Sequence, residues 1–157
     1  MFPSIITDSD DNENQQTLRE KTISTSTELG KTPLFNFEEK SVVLINGSPK
    51  LTYNIEAIRQ WIVLFITTPK DTYRIYDGTS FGSSVRKLFG SKRLNNGYEE
   101  SEVEREIREG MKLCPAINRV TSFNMEKVGR ILKIYVQVEL YDGTLVDETV
   151  DVKYTIK

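Results

Sequence analysis

The sequence predicts an α+β fold in which about three helices pack on a small, mainly antiparallel sheet that ends in a long C-terminal β-hairpin. Apolar residues recur at three- and four-residue spacing over residues 55–66 and again over residues 103–114, as on one face of a helix. Over residues 132–140 and 150–156 apolar and polar residues alternate instead, which is typical of strands with one buried face. The Asp142-Gly143 pair between these two segments favours a tight hairpin turn.

The first part of the predicted domain is a small hairpin-like segment followed by a buried helix. Strand-like stretches at residues 34–37 and 42–45 precede Asn46-Gly47, a pair suited to positive φ. Asn54 is a candidate N-cap for the helix, whose apolar spacing ends before Pro69. Because apolar residues also occupy its remaining faces, we expect neighbouring elements to cover this helix nearly all round.

Residues 69–113 predict a loop followed by two helices. Residues 69–82 are the loop, in which three aromatic residues lie among charged ones. A short helix is expected from about residue 83 to residue 89, with Gly90 as a left-handed cap. Residues 98–113 are helical again, with early glutamates and later arginines that suit the helix dipole and predict a solvated face. Pro115 ends this helix, and a strand over residues 117–125 follows.

Residues 1–32 differ in composition from the rest and predict an extended N-terminal arm before a single domain at residues 33–157. The arm has six acidic against three basic residues among Ser, Thr, Asn and Gln, a composition typical of disordered segments. Since the whole chain carries a net charge of −2, the domain is nearly neutral. Two interpretations of the arm stay open: a disordered terminus, or a segment that lies along a partner chain. Its candidate anchors are Phe2, Ile5, Ile6, Leu18 and Ile23.

The composition of the 157 residues excludes several function classes. The chain has no histidine and one cysteine, which excludes Ser-His-Asp and Cys-His catalysis, histidine zinc sites and an internal disulfide. The small net charge gives no reason to expect nucleic acid or an anionic membrane as a partner. The longest apolar run, residues 61–66, is far short of the roughly 18 residues of a membrane span, and we expect no signal peptide. No cofactor or metal is expected.

Glycoside hydrolysis is the best reaction left for a chain without histidine, because it needs two carboxylates, one with a raised pKa. The acidic residues at 99–109 stand beside arginines, which lower carboxylate pKa values, so we do not predict an enzyme. Cys114 is expected to be a buried core thiol. The basic residues at 86–87 and 92–93 are interpreted as a solvated or protein-facing surface rather than a nucleic-acid site.

Four segments in a fixed order carry a resemblance to a known family. They are residues 53–66, TTPKDTYRIYDGTSFGSSVRKLFG at 67–90, EESEVEREIREGM at 99–111 and CPAINRV at 114–120, followed by the C-terminal hairpin. In this order, residues 33–156 resemble the XkdS-like baseplate proteins of PBSX-type prophages and phage-tail-like bacteriocins. More distantly they are similar to the lysozyme-like baseplate wedge family of contractile tails, which includes the sheath initiators.

Two motifs of the wider family are matched in part. Arg74, Phe81 and Gly82 correspond to the family's Gly-Glu-Arg and Tyr/Phe-Gly motifs in the loop after the first helix. The family's Glu-Pro-Arg at the start of the sheet is Cys-Pro-Ala at 114–116 here, so Pro115 is kept. This departure removes the charged side chains through which that motif would make contacts.

The resemblance implies a structural baseplate wedge component that links the baseplate to the first sheath ring and initiates sheath assembly, in six copies around the tail axis. The implied partners are other wedge proteins and the tail sheath protein, with tube or hub proteins as further candidates. The implied location is the baseplate of a virion or tail-like particle, assembled in the bacterial host cytoplasm. The expected sheath-facing residues of the hairpin are Ile131, Lys133, Tyr135, Gln137, Asp151, Lys153 and Tyr154. The expected wedge-facing residues are Arg74, Tyr76, Phe81, Gly82 and Pro115.

Two other functions stay open on the sequence. The family name suggests a peptidoglycan hydrolase of the tail, which zymography on peptidoglycan would distinguish. A free-standing intracellular protein-binding module would instead purify without tail proteins. The terminal hairpin favours assembly, because a strand at the end of a sheet can leave an edge open for another chain to pair with.

Overall fold

The computed structural model describes residues 31–90 and 97–153. Its elements in chain order are β1 (Thr32–Pro33), β2 (Phe35–Asn36), β3 (Ser41–Val42), β4 (Leu44–Ile45), β5 (Ser48–Pro49), β6 (Leu51–Thr52), α1 (Asn54–Thr67), a 3₁₀ turn (Arg74–Tyr76), α2 (Lys87–Gly90), α3 (Gly97–Met111), β7 (Ile117–Val128), β8 (Ile131–Leu140) and β9 (Leu145–Lys153). The α+β class is confirmed. The predicted arm lies outside the described residues except for residues 31 and 32.

The C-terminal strands form an antiparallel sheet in the order β7-β8-β9. Every second side chain of β8 from Leu132 to Leu140 is buried, which confirms the predicted alternation. The residues between them lie on the opposite face, which is turned to solvent. The sheet therefore has one core face and one open face.

Two tight turns set the register of the sheet. β7 continues to Val128, three positions beyond the predicted end, and turns through Gly129, whose φ of 61° suits glycine. The predicted Asp142-Gly143 turn is confirmed, with Gly143 at φ 84° donating to Leu140 O at 3.0 Å. Asp142 Oδ1 accepts the Thr144 N–H at 2.8 Å, and this hydrogen bond lowers the pKa of Asp142.

The helices cover the core face of the sheet. α1 packs on β9, and α3 packs on β7. The predicted apolar stripe of α3, which comprises Val103, Ile107, Met111 and Cys114, is fully or nearly fully buried. Where the β7–β8 register shifts, the Arg108 guanidinium donates to Val120 O at 2.7 Å and so connects α3 to the irregular part of the strand.

The start of α1 differs from the prediction in two respects. The N-cap is Tyr53, and Asn54 is the first helical residue, with a φ of 50° that asparagine tolerates better than most residues. Ile55 in the first turn is 42% exposed, so the expectation that the helix is covered nearly all round is wrong there. The reason is that the described core contacts of α1 begin one turn later, at Ala57 and Ile58.

Residues 31–53 form an N-terminal module of three two-residue ladders, β1–β6, β2–β3 and β4–β5. The ladders meet at a closed cycle of main-chain hydrogen bonds: Leu34 N–H donates to Lys50 O at 2.7 Å, Lys50 N–H to Val43 O at 2.8 Å, and Val43 N–H to Leu34 O at 2.9 Å. Gln60 of α1 accepts the Phe35 N–H and donates to Pro33 O, both at 2.8 Å. One buried amide side chain thus attaches the module to the domain.

α2 is shorter than predicted and begins at Lys87 rather than near residue 83. The reason is that the Ser83 N–H donates to Thr68 O at 2.9 Å, and Ser83 O accepts the Lys70 N–H at 3.1 Å, so Ser83 is held in a bridge to the end of α1. Within the described ranges, no helix has the length and apolar character needed to cross a membrane.

Candidate protein-binding surfaces

The outer edge of β9 pairs with no other described residue. The Leu140 N–H donates to Thr144 O at 2.9 Å, so Leu140 and Thr144 are a hydrogen-bonded pair of the antiparallel ladder. In an antiparallel pair such positions recur at every second residue, which here gives the pairs from Val138↔Val146 to Leu132↔Val152. The N–H and C=O groups of residues 145, 147, 149, 151 and 153 therefore point away from β8.

Hydrogen-bonded polar side chains cover much of the open face. Thr121 Oγ1 donates to Gln137 Oε1 at 2.8 Å, and Gln137 Nε2 donates to Asp147 Oδ1 at 2.7 Å, so one row spans all three strands. Beside it, Arg119 pairs with Glu139 at 2.7 Å. These rows fix the side chains of the face before any partner arrives.

The predicted hairpin residues lie together on this open face. In the register of the sheet, Lys133 is opposite Asp151, and Ile131 is opposite Lys153. Tyr135 and Gln137 continue the same row of β8. Tyr154 lies outside the described residues.

Glu148 lies on the helix-facing side of β9, between the buried Val146 and Val150. Its side chain is 19% exposed, and its Oε2 is 3.5 Å from Nη1 of Arg59 in α1. Burial raises the pKa of Glu148, while the charge of Arg59 and the Thr149 N–H act in the opposite direction. The edge strand β9 therefore carries a partly buried carboxylate on its helix-facing side.

The loop at residues 69–82 is closed at its base. The Ser83 main chain bridges to Thr68 and Lys70, and Ser83 Oγ donates to Ile66 O at 2.6 Å. Gly82 has a φ of 106°, and a Cβ at this position would lie 2.9 Å from Thr68 O. The predicted site residue Gly82 therefore closes the loop rather than offering a surface.

Aromatic rings hold the loop against α1. Phe81 packs edge-on against Trp61 at 5.8 Å and Phe65 at 5.5 Å between ring centroids, and Tyr76 lies over Phe81 at 4.7 Å. Of the predicted wedge-facing residues, Tyr76 and Phe81 thus form the base of the loop, while Arg74 is exposed.

The tip of the loop presents residues that the sequence interpretation did not select. Ile75 is 81% exposed and Tyr73 is 52% exposed, on either side of Arg74. From the sequence alone, an apolar residue in a polar loop does not indicate a contact site, because single exposed apolar residues are common. Pro115 is exposed in the α3–β7 connection, and no hydrogen bond or ring contact among the described residues links it to this loop.

The N-terminal module has an apolar surface of its own. The described core cluster contains no residue of residues 31–53, whereas several large apolar side chains of this region are exposed. They are Val42, Leu44, Ile45, Leu51 and Tyr53, together with Ile55 at the start of α1. The module is therefore held by hydrogen bonds rather than by a core.

The charged face of α3 is exposed to solvent, as predicted, and its side chains form ion pairs. Arg105 lies between Glu102 at 2.9 Å and Glu109 at 3.0 Å, and hydrogen bonds to both raise the pKa of Arg105. Cys114 is buried, and burial raises the pKa of its thiol. In the described part of the chain, no three His, Cys, Asp or Glu residues are grouped as metal ligands.

Residues 31–143 match the family described as the contractile injection system sheath initiator, from the first residue of the N-terminal module to the β8–β9 turn. The chain belongs to the sheath initiator family. A curated relative, the phage-like element PBSX protein XkdS of Bacillus subtilis (strain 168), is 30% identical over 101 residues, which cover 64% of this chain and 71% of XkdS.

Membership of the sheath initiator family confirms the resemblance that the element order predicted. It gives the chain a structural role as a component of a contractile tail and its baseplate. The partners of a sheath initiator are accordingly other tail components, including the sheath.

Proposed function

We propose that the chain links the wedge proteins of a baseplate to the first ring of the contractile sheath and starts sheath assembly, in six copies around the tail axis. Its mechanism is strand addition: a sheath strand pairs with the outer edge of β9 and extends the sheet. The free β9 edge carries this proposal, since five residues there direct both main-chain groups outward.

The side chains around the edge favour an added strand in a defined register. Val146, Val150 and Val152 of β9 are buried below the sheet, so apolar residues on the lower side of the added strand would continue that layer. On the open face, Asp147, Asp151 and Lys153 lie along the edge and favour polar partners. Because a shift of one residue would exchange the two sides, the edge excludes registers that place polar residues on the lower side.

Other surfaces are assigned to the baseplate. The loop at residues 69–82 contacts wedge neighbours, with Pro115 as a second contact point. The arm at residues 1–32 lies along another subunit. These assignments follow the family resemblance and the exposure of the loop tip.

Blocking the outward N–H of one β9 residue tests strand addition. Asp151 is exposed and lies in a pair that makes no hydrogen bonds to β8, so Asp151→Pro removes an outward donor and leaves the β8–β9 bonds in place. The matched control Asp151→Ala removes the carboxylate but keeps the donor. Purified sheath protein of the same tail is mixed with each variant, and the rate of sheath nucleation is followed by light scattering and electron microscopy.

We expect the wild-type chain and Asp151→Ala to nucleate sheath at similar rates and Asp151→Pro to be at least tenfold slower. Circular dichroism and thermal unfolding establish that both variants are folded. If folded Asp151→Pro nucleates sheath as fast as Asp151→Ala, the β9 edge is not where the sheath adds.

A further inference from the structure

We propose that Ile75, with Tyr73 and Arg74 beside it, is a preformed plug that inserts into an apolar socket of a neighbouring baseplate protein, with a carboxylate at the rim of the socket. This inference rests on the proposed function, because it takes the neighbour to be a baseplate protein. It replaces Tyr76 and Phe81 with Tyr73 and Ile75 as the contact residues of the loop.

Ile75 stands out by its exposure together with its rigid support. Of the large apolar side chains that the structure describes, it is the most exposed, at 81%. Exposure alone would mean little, since isolated apolar residues are common on protein surfaces. The support beneath Ile75 is what distinguishes it.

Hydrogen bonds fix the turn that carries Ile75. The Tyr76 N–H donates to Tyr73 O at 2.9 Å, and the Asp77 N–H donates to Arg74 O at 3.1 Å. Thr79 closes the turn, because its N–H and its Oγ1 both donate to Tyr76 O, at 2.9 Å and 2.7 Å. The main chain on both sides of Ile75 is thus held in one conformation.

The aromatic base keeps the turn at a fixed height above α1. Tyr76 follows Ile75 directly and lies on the Phe81 ring, which in turn packs on Trp61 and Phe65. The main chain at the end of the loop is held by the hydrogen bonds of Ser83 to Thr68 and Lys70. Because the main chain of the turn is already ordered, binding through Ile75 costs little loop-ordering entropy.

The chemistry of the tip specifies the socket. Ile75 requires an apolar cavity, and Tyr73 adds an aromatic surface beside it. Arg74 forms no ion pair with any described residue, so its guanidinium is available for a carboxylate of the partner. Tyrosine and arginine are also the residue types enriched among the strongest contributors to protein interfaces.

Two binding measurements on the full chain test the plug. Purified baseplate proteins of the same contractile tail are titrated against immobilised wild-type chain, Ile75→Asp, Arg74→Glu and the control Tyr98→Asp, which alters another highly exposed side chain outside the surfaces described above. The same four chains are then titrated with purified sheath protein. We expect Ile75→Asp to bind the baseplate protein at least tenfold more weakly, Arg74→Glu to bind it several-fold more weakly, and Tyr98→Asp to bind it as the wild type does.

Binding to sheath protein should be unchanged in all four chains. If the wild-type chain binds both partners and Ile75→Asp binds them equally well, or if Tyr98→Asp loses as much affinity as Ile75→Asp, the plug is refuted while the linking function stands. If the wild-type chain binds neither partner, the linking function itself fails.

Discussion

The ring of Phe65 lies so close to Gly110 that a Cβ at position 110 would overlap its atoms. This contact joins α1 to α3 and needs glycine in the last turn of α3, although alanine is intrinsically the better helix former. The Phe65 ring also stacks on Trp61, at 5.3 Å between centroids, and supports Phe81 of the loop. Gly110 therefore sets the position of the Phe65 ring, against which Phe81 of the loop packs.

Gly110→Ala should destabilise the protein although alanine is the better helix former. The gain in helix propensity is about 1 kcal/mol, whereas forcing an extra methyl group into a packed contact costs about 1–3 kcal/mol. We expect a lower free energy of unfolding in urea and altered near-UV circular dichroism of the aromatic cluster. Gly97→Ala is the control, since nothing lies within 4 Å of a Cβ there. A Gly110→Ala variant more stable than the wild type would contradict this packing.

Gln60→Leu should release the N-terminal module from the domain. The substitution removes the hydrogen bonds to the Phe35 N–H and the Pro33 C=O, and each lost hydrogen bond costs about 0.5–1.5 kcal/mol because both groups are only partly buried. Hydrogen exchange should accelerate at the amides of residues 34–52 but not at those of β8, which serve as the internal control. Equal protection of the module in variant and wild type would show that something other than Gln60 holds it.

The sequence was sufficient for the regular part of the fold and for the family. Strict alternation in β8 and the Asp142-Gly143 turn predicted the hairpin, because side-chain period and turn chemistry are local properties. The three-way junction of the N-terminal module was not predictable in the same way. Its Leu34, Val43 and Lys50 meet through main-chain groups, which leave no side-chain pattern.

Some of the candidate contact residues were also predictable from local sequence pattern, whereas others depend on tertiary contacts. The open-face residues of the hairpin follow directly from alternation, so their common location was predictable. Tyr76 and Phe81 were expected at the wedge contact from the family resemblance, Phe81 because it matches the Tyr/Phe-Gly motif. Their stacking on Trp61 and Phe65 depends on where the loop returns, which is a tertiary property.

Glu148→Gln should change how stability depends on pH. Burial raises the pKa of Glu148 above its ordinary value of 4.5, so the folded chain holds this proton more tightly than the unfolded chain. Ionising Glu148 therefore lowers stability as the pH rises from the ordinary pKa through the raised one. The stability of Glu148→Gln minus that of the wild type should be larger at about pH 7 than at about pH 4. At the lower pH the side chain at position 148 is mostly uncharged in both proteins, so the substitution then changes little.

Urea unfolding of both proteins at several pH values between these limits measures that difference. A stability difference that stays constant with pH, or that shifts toward the wild type as the pH rises, would show that the ion pair with Arg59 outweighs burial. The Arg59→Gln variant serves as the control, since it removes the partner but keeps the carboxylate.

A high-resolution cryo-electron microscopy map of the junction between baseplate and sheath tests the central claim most directly. The account predicts a sheath strand beside β9 whose main chain hydrogen-bonds to residues 147, 149 and 151, in six equivalent positions around the axis. A map in which the outer edge of β9 faces solvent, or in which the sheath is held by other surfaces of the chain, would contradict it.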